Sequence, residues 1–171
     1  MTSVVLVIAE KNFRDEEYQH PKEVLLNAGI KVITASTTTK NAVGKLGLTV
    51  KPDVLLKDVN ADEIDGIFFI GGGGAEQYFD DKIALDLVKE VHDKGKIYGA
   101  ICIAPVILAN AGLLKNKKAT VFSSEIDVIK EKGADYKKED VVVDGKLITA
   151  NGPAAAKSFG EAIVKMFVNL R

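Results

Sequence analysis

The chain holds a single cysteine, and its immediate neighbours are those a nucleophile would require. Cys102 stands in Gly99-Ala100-Ile101-Cys102-Ile103-Ala104-Pro105, between an apolar strand-like run and a helix-forming stretch. A nucleophile on a sharp strand-to-helix turn needs small residues two places before and two after it, or their side chains collide. Ala100 and Ala104 meet that need, as the glycines do in the G-x-S-x-G elbow of hydrolases. The position sets the sulfur near the positive end of a helix, which predicts a lowered thiol pKa. It also leaves the Ile103 N–H free to face an oxyanion. Against this stands the ordinary role of a lone Cys beside Ile and Ala, a small buried hydrophobe. On this motif alone the two readings are level.

Two further clusters bear on the same chemistry. Gly71-Gly72-Gly73-Gly74 follows the apolar run Ile67-Phe68-Phe69-Ile70 and would let the backbone approach a ligand closely with its amides exposed. No Gly-Lys-Ser/Thr follows, so it is not a phosphate-binding P-loop. The dinucleotide fingerprint fails as well, since its sixth place falls on Glu76 or Gln77, and the place after the first strand holds Glu10-Lys11-Asn12-Phe13. The choice left is between a flexible turn and the second half of an oxyanion hole facing Cys102. The other cluster is acidic: Asp15, Glu16 and Glu17 open a helix, where acids ordinarily answer the helix dipole and solvent. One carboxyl turned inward could instead hydrogen-bond the thiol and move protons.

The elements that must position these groups alternate along the chain. Ser3–Ala9, Lys31–Ala35, Ile67–Ile70 and Ile97–Ile101 are apolar runs without polar alternation, the pattern of buried parallel strands. Helical spacing covers roughly 15–28, a stretch around Ala84, Leu87, Val88 and Val91 that ends at Gly95, roughly 104–111, and a last helix opening after Gly152-Pro153. Residues 36–60 read as irregular, with a short strand at Leu48-Thr49-Val50. Val141–Val143 and Leu147–Thr149 flank Asp144-Gly145 as a hairpin. Strand and helix in alternation predict one α/β domain over residues 1–171, with helices on both faces of a mostly parallel sheet. In such sheets ligands gather at the carboxyl ends of the strands, where all three clusters lie.

Composition removes several classes of function. Twenty-three Lys and Arg against 24 Asp and Glu leave a net charge of −1 over 171 residues, so the bulk attraction that draws a protein to nucleic acid or an anionic membrane is missing. Lysine dominates the cations, with only two arginines, a bias of composition. The apolar stretch at the N-terminus has no basic region before it and is closed by Glu10 and Lys11, unlike a secretory signal. With one thiol and no internal disulfide to form, the cytoplasm is the expected compartment. Two histidines and one cysteine without close spacing predict no metal site, and no cofactor motif is present.

Taken together and in this order, the clusters resemble the PfpI/DJ-1 superfamily, which includes intracellular cysteine proteases, cofactor-independent glyoxalases, deglycases and oxidative-stress proteins. The resemblance spans nearly the whole chain and is most specific at Ala100-Ile101-Cys102-Ile103-Ala104-Pro105, similar to the family's A-I-C-x-x-P elbow. It implies a flavodoxin-like three-layer sandwich, Cys102 as nucleophile, Glu17 as its hydrogen-bond partner, and the amides of Gly72 and Ile103 as oxyanion donors. Gly71 falls on the family's glycine pair, and a homodimer or higher homo-oligomer is implied. The chain departs from the pattern at histidine: Ile103 and Phe122 occupy the two places where members carry one. His20, three residues from Glu17, and Phe122 are candidates to line the site.

Without a histidine, peptide hydrolysis lacks its usual base and its usual acid for the leaving amine. Addition of a thiol to an α-oxoaldehyde asks for less, since a carboxyl and two amides suffice for the proton transfers and the oxyanion. Turnover of methylglyoxal or of its protein adducts is therefore the expected activity. A redox-sensing or chaperone-like protein whose Cys102 is oxidised without turnover is the alternative, and a PfpI-type protease or other hydrolase the third.

Overall fold

The computed structural model describes all 171 residues. Its central sheet has seven strands: β1 (Ser3–Val7), β2 (Lys31–Ser36), β3 (Val54–Leu55), β4 (Gly66–Phe69), β5 (Ile97–Ile101), β6 (Val141–Asp144) and β7 (Leu147–Ala150). Their spatial order is β6-β7-β5-β4-β1-β2-β3. All pairs are parallel except the β6–β7 hairpin, which turns at Gly145. Leaving aside the two-residue edge strand β3, the parallel order is that of flavodoxin-like sheets. The chain order reverses across β1, between β2 and β4, which makes this the crevice where ligands bind in such folds.

The unbroken apolar runs explain this core. Every residue of β1, β4, β5 and β7 is buried. Helices α1 (Asp15–Asn27) and α5 (Ala156–Asn169) pack together on one face, α2 (Lys82–Asp93) and α3 (Pro105–Asn110) on the other, and α4 (Ile126–Glu131) rests on α3. The buried apolar side chains, 49 in number, form one continuous cluster.

Strand register sets the site. Val7 pairs with Phe69, Phe69 with Ala100, and Ala100 with Thr149, so four strands end in one row. The segments leaving that row are the loop into α1, the glycine run, Cys102 and Gly152.

Some elements differ from the sequence expectation. The first strand leaves the ladder at Val7, although Ile8 and Ala9 remain buried. The short strand expected at Leu48-Thr49-Val50 is present as Thr49–Val50, and the rest of residues 36–60 is less irregular than its glycines suggest: Ala42–Gly44 pairs with Lys11–Phe13 and with Thr49–Val50 in a separate small sheet. Two elements have no counterpart in the sequence expectation: α4, whose Ile129 is buried, and the strand Asp135–Tyr136, which pairs with Lys118–Ala119. These pieces are two to six residues long, too short to show periodicity.

Candidate functional site

Cys102 sits immediately beyond β5 with φ 65°, a conformation costly for any residue with a Cβ. Two backbone bonds hold it there: its N–H donates to the Ala150 carbonyl at 2.9 Å, and its carbonyl accepts from the Phe122 N–H at 2.8 Å. The strain aims the side chain out of the sheet's end, as the small flanking residues predict for an elbow. The residue remains 8% exposed.

The first turn of α1 supplies the second group. Glu17 is 0% exposed, and neither of its carboxyl oxygens has a hydrogen-bond partner of good geometry. Burial lifts Glu17 from the usual 4.5 to about 8, outweighing the Cys102 thiol, the Arg14 charge and the Gly71 N–H, which all favour the carboxylate. Glu17 is therefore largely a neutral acid at neutral pH.

Asp15 and Glu16 have other work. Asp15 is buried and accepts the Leu46 and Leu48 N–H groups at 2.9 and 2.8 Å, fastening the small sheet to α1 rather than facing solvent. Glu16 accepts from Arg14 Nε at 2.6 Å.

The glycine run closes the arrangement. A Cβ on Gly71 would lie 2.5 Å from Glu17 Oε1 and would press into the Cys102 Cβ. No other residue fits between acid and thiol. Gly72 has φ 92°, and a Cβ there would meet the Asn12 carbonyl at 2.5 Å. Its N–H and that of Ile103 both act on the Cys102 sulfur to favour thiolate, and neither is engaged by another backbone acceptor. Two amides beside the sulfur that no backbone carbonyl engages are the kind of donor an oxyanion needs.

The thiol pKa is the reverse of the sequence expectation. Burial pushes Cys102 up to about 12, the Glu17 carboxylate adds to the rise, and the two amides only moderate it. The helix that was to lower it, α3, is six residues long and begins three residues later, at Pro105. Its field is weak against desolvation and a neighbouring carboxylate.

Of the other candidates, Phe122 is 39% exposed and flanks the site, its ring against Gly152 at the end of β7. His20 is exposed on α1 and opens onto a surface groove with Glu23, Val24, Asn27 and Lys157, none of which belongs to the cysteine site. His92 is on the last turn of α2 beside Asp93. Tyr78 is core, its hydroxyl donating to the Ile8 carbonyl at 2.7 Å. No three His, Cys, Asp or Glu side chains converge as a metal-binding group.

Sequence reasoning passed over Arg14. Its N–H donates to the Gly71 carbonyl at 2.9 Å, and its side-chain charge interacts with both Glu17 and Cys102. The available signal was compositional: this is the only arginine besides the C-terminal residue.

Comparison with known proteins supplies an independent line. The sequence model of the DJ-1/PfpI family matches residues 2–166. The chain is 43% identical to the uncharacterized protein MJ0967 of Methanocaldococcus jannaschii over 95% of its own length and 80% of that protein's. It is 30% identical to the deglycase PfpI of Pyrococcus furiosus, covering 95% and 98% of the two chains. It is 28% identical to the glutathione-independent glyoxalase DJR-1.2 of Caenorhabditis elegans, covering 95% and 87%. Among solved structures, a ThiJ/PfpI domain protein from Brachyspira murdochii superposes with a TM-score of 0.96 at 36% identity, covering 99% and 98%.

Proposed function

The chain belongs to the DJ-1/PfpI family, and on that premise we propose that it is a cofactor-independent glyoxalase or deglycase acting on methylglyoxal or its protein adducts through Cys102 and Glu17. The observation that carries this reading is the buried, unpartnered carboxyl of Glu17 beside a thiol that faces two free amides.

The reactive form of the pair carries one proton between the two groups. Ionised Glu17, made more basic than an ordinary carboxylate by its burial, takes the thiol proton as the sulfur adds to the aldehyde carbon of methylglyoxal. The carbonyl oxygen becomes an oxyanion held by the Gly72 and Ile103 amides, then receives that proton from Glu17 to give a hemithioacetal. Glu17 next removes the hydrogen on the former aldehyde carbon and returns a proton to the adjacent carbon, while the hydroxyl proton on the first carbon passes to the oxygen of the second, leaving a thioester of lactate. Water cleaves the thioester and restores the thiol. The sum is methylglyoxal plus water giving lactate and a proton, with no external reductant or oxidant.

Two other chemistries fit less well. Oxidation sensing follows thiolate character and exposure, and Cys102 is short of both. Peptide hydrolysis wants an imidazole, and Ile103 and Phe122 offer none. The proposal extends to a homo-oligomer working in the cytoplasm, where the thiol stays reduced. No helix is long and apolar enough to cross a membrane.

The test is to incubate the protein with methylglyoxal and follow lactate. Lactate from the wild type and none from Cys102→Ala is the expected result. No lactate from the wild type, accompanied by peroxide-dependent mass gain at Cys102, would replace this reading with the sensor.

A further inference from the structure

Arg14 stands out first by its type. Of 23 Lys and Arg residues only two are Arg, Arg14 and the C-terminal Arg171, so the one internal position that departs from lysine adjoins the cysteine site. Lysine supplies charge as well as arginine does at an exposed position. Arginine is distinguished by its planar fork, which meets a carboxylate with two parallel hydrogen bonds.

Its placement fits that use. The Arg14 backbone is fixed to the glycine run through the 2.9 Å bond to Gly71, the residue wedged between Glu17 and Cys102. A Cβ on Gly72 would run into the Arg14 nitrogen, so the residue directly abuts the loop that supplies an oxyanion amide. The side chain is 29% exposed, reachable from solvent yet held. Glu16 occupies only its Nε, at 2.6 Å, and the two terminal nitrogens make no hydrogen bond to the protein. Its charge acts on both Glu17 and Cys102.

We propose that the free edge of the Arg14 guanidinium binds a carboxylate on the molecule attacked by Cys102, so that the site selects aldehydes or α-oxoaldehydes carrying a carboxylate over neutral ones. This deepens the proposed function and rests on Cys102 being its nucleophile. Arg14 is a specificity-determining residue in this scheme: it places the electrophile and takes no proton. An uncharged compound such as methylglyoxal would react through the same elbow without that anchor.

The proposal is testable without turnover, because the chain has one thiol and every alkylation reports on it. Iodoacetate and iodoacetamide differ in little but the carboxylate. In both reactions the thiolate displaces iodide, a C–S bond forms as the C–I bond breaks, and the thiol proton leaves to solvent. Changes in thiolate population cancel in the ratio of the two rates. Measured by intact mass at pH 8 and referred to glutathione, the iodoacetate-to-iodoacetamide ratio should be raised at least about fivefold in the wild type. Arg14→Gln should return the ratio to that of glutathione, and Arg14→Lys should lose most of the gain by losing the fork. A wild-type ratio equal to that of glutathione, or a raised ratio that persists in Arg14→Gln, overturns the inference. A protein that makes no lactate from methylglyoxal yet shows the Arg14-dependent ratio would refute the proposed turnover and leave the anion site standing.

Discussion

At the residue scale the site depends on what is missing between two side chains. Glu17 and Cys102 can approach because Gly71 has no Cβ; a methyl there would fall 2.5 Å from Glu17 Oε1 and against the cysteine itself. Gly71→Ala should therefore lower aldehyde turnover by about 100-fold or more and cost about 1–3 kcal/mol of stability, since the crowded neighbours are packed and cannot move aside. Steady-state kinetics beside chemical denaturation would check both. Much of this site was legible in the sequence. The elbow follows from Ala100 and Ala104, whose smallness has a steric reason independent of any relative. Choosing Glu17 among three adjacent acids was a different matter. Periodicity does not distinguish them, because Asp15 and Glu17 are both buried; only the contacts show that Asp15 serves backbone amides while Glu17 faces sulfur. The high thiol pKa was illegible for a related reason, desolvation being a property of the whole enclosure rather than of flanking residues.

At the element scale, the flush ends of β1, β4, β5 and β7 gather segments that are far apart in sequence. The long apolar runs announced these strands and helices, because four or more buried residues in succession leave a clear signature. Of the small sheets, only the strand Thr49–Val50 announced itself. Lys11–Phe13 and Ala42–Gly44 are strands because tertiary contacts hold them, and Asp15 ties the adjoining Leu46–Leu48 loop to α1. Its carboxylate accepts two amides of the Leu46–Leu48 loop while buried, so removing it strands both donors. Asp15→Ala should cost about 2–4 kcal/mol in urea unfolding. Asp15→Asn keeps one acceptor oxygen and should cost about half as much. A loss of under about 0.5 kcal/mol in the alanine variant would show that the loop is held by something else.

The whole molecule bears the cost of an acid buried without a partner. Glu17 ionises near 4.5 when unfolded and near 8 when folded, so between those values the native state holds the extra proton. Stability conferred by that group is therefore full below about pH 4.5 and declines as pH rises toward 8, the opposite of the usual behaviour of a salt-bridged carboxylate. The buried side chains around Glu17 belong to one continuous core, so this local effect is expected in global unfolding. From pH 5 to pH 9 the wild-type melting temperature should fall about 5–10 °C further than that of Glu17→Gln, which cannot ionise. Parallel curves for the two proteins would mean that Glu17 is ionised, and paired, at neutral pH. A carboxyl in a dry position lowers stability, a cost that the proposed proton transfer entails.

Turnover as proposed requires Glu17 to act in its ionised form on a thiol it must deprotonate, and the pH dependence of kcat/KM for methylglyoxal tests that most directly. With Glu17 near 8, only about one site in ten is ionised at pH 7. The predicted profile rises about tenfold per pH unit below 8, levels above it, and disappears in Glu17→Gln, which should retain less than about 1% of the rate. A profile flat from pH 6 to 9, or a Glu17→Gln variant as active as the wild type, would contradict it.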